Sequence, residues 1–77
     1  MEVFPGVSMD PAVRFGKPCL AGTRIDVATV IAELASGGGL EVVEENYQLN
    51  REQVLDALQY ATHVIRHVPP AVAAPSL

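Results

Sequence analysis

The chain has 77 residues, nine Asp and Glu against five Lys and Arg, and a formal net charge of −4. That length predicts one domain with a small core, marginal alone and in need of self-association or a partner, and the acidic balance speaks against free-standing attraction to nucleic-acid phosphates. A lone Cys19 cannot form an internal disulfide, no Cys/His set has the spacing of a structural zinc site, and no apolar run reaches the ~18 residues needed to span a bilayer, so the expected compartment is the cytoplasm.

Residues 1–11, MEVFPGVSMDP, carry two prolines and a glycine, and read as an extended N-terminal arm whose Val3, Phe4, Val7 and Met9 need something to pack against. A single domain is expected over residues 12–68. Its first piece, Ala12 to Phe15, fits a short strand, which Gly16-Lys17-Pro18 interrupts. Cys19-Leu20 then leads to a tight turn at Gly22, giving two or three short strands or a hairpin that would bury Phe15, Leu20 and Ile25. Asp26 is a good helix N-cap, and Val27, Val30, Ile31 and Leu34 follow at helical spacing, so the first helix is placed at about Val27–Ser36 and ends at Gly37-Gly38-Gly39. The segment LEVVEENY puts Leu40, Val43 and Tyr47 on one side of a short second helix. Asn50 followed by Gln53 forms a capping-box pattern for a third. In it Val54, Leu58, Ala61, Ile65 and Val68 recur at steps of four and three, up to Pro69-Pro70. The fold class expected is therefore mainly α: a small β element followed by a three-helical, helix-turn-helix-like domain. Residues 69–77, uncharged and rich in Pro and Ala, would be polyproline-like alone in water and, if ordered, would lie against their own domain or another chain.

The order FGKPCLAGTRIDVATVIAELASGG, then LEVVEENYQLNREQVLDALQYA, resembles the small prokaryotic family known as domain of unknown function 433. Gly16-Lys17-Pro18 followed by Gly22-Thr23-Arg24 carries the likeness, which spans about residues 12–62. The chain departs from the family pattern at Gly38-Gly39, where a Ser or Thr more often caps the second helix. The resemblance implies a winged-helix or homeodomain-like fold and, for many members, a role as antitoxin in a VapBC-like toxin–antitoxin module that inhibits a PIN-like ribonuclease.

Lys17 beside Cys19 could lower a thiol pKa, although a lone Cys between Pro18 and Leu20 reads more readily as a small buried hydrophobe. His63 and His67, one helical turn apart, could share a metal, but no third ligand is in view. Arg14, Lys17, Thr23 and Arg24 are the candidate partner-binding residues, with Gly16, Pro18 and Gly22 as the turn scaffold between them. Guanidinium forks hold two carboxylate oxygens at once, and PIN-like nucleases gather carboxylates around a magnesium or manganese ion. Arg51 and Gln53, at the start of the third helix, are the candidate base-reading residues, set among carboxylates that repel DNA. No catalytic set or phosphate-binding loop is apparent, and no enzyme activity, cofactor or metal is expected. Besides antitoxin action with a PIN-like toxin as partner, two alternatives stand: a homodimeric DNA-binding regulator, weak on DNA alone, and an interaction module with neither activity. A homodimer or larger complex is expected in each case.

Overall fold

Local signals set the helices. In the computed structural model, which describes residues 1–71, α1 spans Val27–Ala35, α2 Leu40–Tyr47 and α3 Arg51–Arg66. Asp26 caps α1 by accepting the Thr29 amide at 2.8 Å. At α3 the capping box is closed in both directions: the Asn50 carboxamide oxygen accepts from the Gln53 amide at 2.8 Å, and the Gln53 side chain accepts from the Asn50 amide at 2.9 Å. Gly39 begins α2 with no side-chain cap, since glycine has no side chain to supply one. Gln48, in the left-handed region at φ 54°, closes it.

The strands lie elsewhere than expected. Residues 1–11 are not a separate arm: β1 (Glu2–Phe4) and β2 (Val7–Ser8) form a hairpin, and β3 (Cys19–Leu20) joins β2 to complete an antiparallel sheet of order β1-β2-β3. Pro5 followed by Gly6 at φ +81° supplies the turn, an arrangement that fits a type II turn. Ala12–Phe15 is not a strand. Arg14 and Phe15 adopt φ of 50° and 58° in a 3₁₀ turn over Arg14–Gly16, and Gly16 follows at φ +82°. Three left-handed residues in a row cannot continue a pleated strand, and they turn Phe15 outward, so the expected burial of Phe15 is overturned: it is 93% exposed.

The sheet packs on the helices through Val7 and Leu20, which face each other in register. They join Val27, Val30, Val43, Leu49, Val54 and Ala57 in one buried cluster, with Phe4, Ile25, Tyr47 and Tyr60 packed around it. Phe4 finds the partner that the sequence required: its ring meets Tyr60 edge-on at 5.6 Å and lies 5.0 Å from the His63 ring. The part of the tail beyond Ala71 lies outside the described residues.

Candidate functional site

The Gly-Lys-Pro and Gly-Thr-Arg segments are the two legs of one small loop system around Cys19. The Pro18 carbonyl accepts the Val27 amide at 2.9 Å, the Leu20 amide donates to Ile25 at 3.0 Å, and Cys19 bridges to Asp26, so residues 18–27 close on themselves as a miniature hairpin. Gly22, at φ +76°, forms its tip with nothing within 4 Å of where a Cβ would sit; backbone conformation, not crowding, is what calls for glycine there. Thr23 is the brace. Its hydroxyl donates to the Leu20 carbonyl at 2.8 Å and accepts the Ile25 amide at 3.1 Å, so this candidate partner residue is turned inward to its own backbone. Arg24, next in the chain, is exposed and makes no ion pair among the described residues.

Arg14 is placed differently. Its guanidinium reaches Asp26 at 3.3 Å. Asp26 is buried, and its carboxyl is held below the ordinary carboxylate value, first by the hydrogen bond from the Thr29 hydroxyl and then by the Thr29 amide and Arg14, against the opposing effect of burial. Lys17 is exposed and, like Arg24, makes no ion pair among the described residues. The four candidates are therefore divided: Arg14 and Thr23 are tied into the loop system, while Lys17 and Arg24 stand out from its two legs. Phe15 stands out with them, a residue that sequence reasoning assigned to the core.

Cys19 is 2% exposed, and its thiol is pushed up, first by burial and then by the Asp26 charge; Arg14 and Arg24 act in the opposite direction and do not prevail. A thiol held protonated in a closed site is a poor nucleophile. Beside it lies a cleft of about 350 Å³ lined by Ser8, Asp10, Val13, Cys19, Thr23 and Arg24. The base-reading candidates are both engaged within the fold. Arg51 donates through Nε and Nη2 to the same Glu44 oxygen, at 3.1 and 2.9 Å, and Gln53 is held in the capping box. The His63 and His67 rings are 4.2 Å apart, and His67 Nδ1 donates to the His63 carbonyl at 2.7 Å. No group of three His, Cys, Asp or Glu side chains able to hold a metal occurs among the described residues.

The loop system and the helices that carry it are also where the chain resembles known proteins. The family described as "Protein of unknown function (DUF433)" matches residues 7–61, from β2 through most of α3. The chain belongs to the DUF433 family. The match takes in β2 and β3 but not β1, and it stops five residues before α3 does. Among solved structures, this DUF433 chain is similar to the X-ray crystal structure of Rv2018 from Mycobacterium tuberculosis, with 33% identity, a TM-score of 0.61 and coverage of 68% of the present chain. The aligned part spans 24% of that protein. No curated protein matches the chain. No helix among the described residues is long and apolar enough to cross a membrane.

Proposed function

We propose that this DUF433 protein is an antitoxin that binds and inhibits a PIN-like ribonuclease through the Phe15–Lys17 turn and Arg24. The observation that carries this reading is the exposure of Phe15. A phenylalanine turned to solvent by two non-glycine residues in left-handed conformations is costly to keep unless something uses it. It lies two residues from Lys17, and Arg24 projects from the adjoining leg. An exposed aromatic anchor two residues from a cation that makes no ion pair among the described residues suits a protein surface with an apolar pocket beside carboxylates, the surface that a metal-dependent nuclease of this class would offer. The surrounding backbone is already fixed by the Thr23, Pro18 and Asp26 hydrogen bonds, so little ordering cost remains at binding.

The DNA-binding alternative lacks such support, since Arg51 and Gln53 are engaged within the fold and Glu52 and Asp56 share their helix turns.

Co-expression with the product of the neighbouring gene, followed by pull-down and an RNA-cleavage assay, tests the proposal. Wild-type protein is expected to form a complex and suppress cleavage. Phe15→Ala should leave the melting temperature nearly unchanged and weaken inhibition by about 2 kcal/mol or more, the loss typical of a buried aromatic anchor; Arg24→Ala should cost about 2–5 kcal/mol of binding. Absence of a complex, or inhibition indifferent to both substitutions, overturns the reading.

A further inference from the structure

The sixteen-residue α3 outruns its supports. At about 1.5 Å per residue it is about 24 Å long, whereas the nine residues of α1 cover about 13 Å. Toward its C-terminal end, Val64, Ile65 and Val68 are 43%, 70% and 59% exposed. Ile65 and Val64 border an apolar groove of about 550 Å³ between α3 and α1, whose far wall includes Val27, Ala28, Ile31 and Ala32. Tyr60 and Val64 also face a second hollow, about 480 Å³, closed by Val3 and Met9 of the hairpin, so the apolar surface is continuous across the helix.

We infer that this face is the contact between two copies of the chain, packed about a two-fold axis with the α3 overhang of each seated in the α1–α3 groove of the other. Charge identifies the occupant. All nine carboxylates lie at or before Asp56, and from Ala57 to Ala71 the only formal charge is Arg66. The groove wall carries two charged side chains, Asp26, already paired with Arg14, and the exposed Lys17, which also belongs to the proposed toxin-binding turn. Two molecules of net charge −4 repel each other, and this face lets them meet without opposing unpaired carboxylates. A two-fold contact also sets each patch against its own copy, so a patch crowded with carboxylates repels itself, while this mostly apolar one, with Lys17 and Arg66 as its charges unpaired among the described residues, does so far less. Ridge and groove are both present on one chain: Ile65 and Val68 form the ridge, and the short side chains of Ala28 and Ala32 open the groove. The contact goes beyond the proposed antitoxin role, and much of the ridge lies past the residues that match the family.

Sedimentation equilibrium on the isolated protein across the micromolar range tests the assignment. The expected mass is twice the 8.2 kDa of the chain, and Ile65→Asp on the ridge and Ala28→Glu on the groove wall should each return it to the single-chain value. Both positions are exposed, and unchanged helical circular dichroism confirms that the variants remain folded. Failure of one variant to fold leaves the other to decide. A single-chain mass for the wild type throughout, a doubled mass that survives both substitutions in folded protein, or a mass that rises only when a different protein is added would each overturn the proposal.

Discussion

The first and last turns of α3 carry the same hydrophobic spacing and meet opposite fates. Val54 is fully buried, Leu58 and Ala61 are half-buried, and Ile65 and Val68, continuing the same steps of four and three, stand in solvent. Periodicity reports that a face is built to be covered, and says nothing about what covers it. At the closed end the cover is intramolecular: α1, α2 and the sheet all meet there, and the capping box anchors it. At the open end the chain has no further element among the described residues to supply one. A helix that crosses from core to overhang thus divides a small protein into a folding half and a contact half.

Matched substitutions at the two ends should separate them most sharply. Val54→Asp places an unpaired charge in the sealed cluster and is expected to cost more than about 3 kcal/mol, a large share of the stability of a domain of this size; Ile65→Asp should leave the circular dichroism spectrum and the cooperativity of urea unfolding intact. Comparable loss at both positions would erase the distinction between the ends.

The closed end also depends on its caps. Asp26→Ala removes the α1 cap and strands Arg14, with an expected loss of about 2 kcal/mol, near the top of the range for such caps. Because the folded Asp26 pKa is lowered, its contribution is present above the ordinary carboxylate value, near 3.9, and disappears as pH falls through the folded value. Urea midpoints taken from neutral pH down into acid should therefore fall more steeply for wild type than for Asp26→Asn. Equal slopes would assign the acid sensitivity to other groups.

Asn50→Ala opens the capping box of α3 and should cost about 1 kcal/mol. The smallest effect belongs to the open end: at concentrations low enough for separate chains, Ile65→Ala should change stability by no more than about 0.5 kcal/mol. A loss equal to that of Asn50→Ala would show that the overhang is packed within its own chain.

Helices were legible in the sequence because their signals are local. Asp26 and Asn50 each write a boundary into a few residues, and the observed starts of α1 and α3 coincide with them. The sheet was much less so. Strands of two or three residues are too short to show alternation, and their pairing joins Val7 to Leu20 across an intervening loop. Phe15 was misplaced because hydrophobicity alone assigned it inward, whereas the left-handed run at Arg14, Phe15 and Gly16 turns it out. The adjoining Gly16-Lys17-Pro18 was a cue to a turn there, but gave no indication of which way the aromatic would point. The division of the cations followed from tertiary proximity: Arg14 is twelve residues from Asp26, and only the folded loop brings them together.

The central claim, that the open end of α3 is completed by a second copy of the chain, is tested most directly by the concentration dependence of the melting temperature. Association that accompanies folding makes the melting temperature rise with protein concentration, by mass action. Wild-type protein should show that rise over a hundredfold dilution series, and Ile65→Asp should melt at one temperature throughout. A wild-type melting temperature independent of concentration would contradict the account.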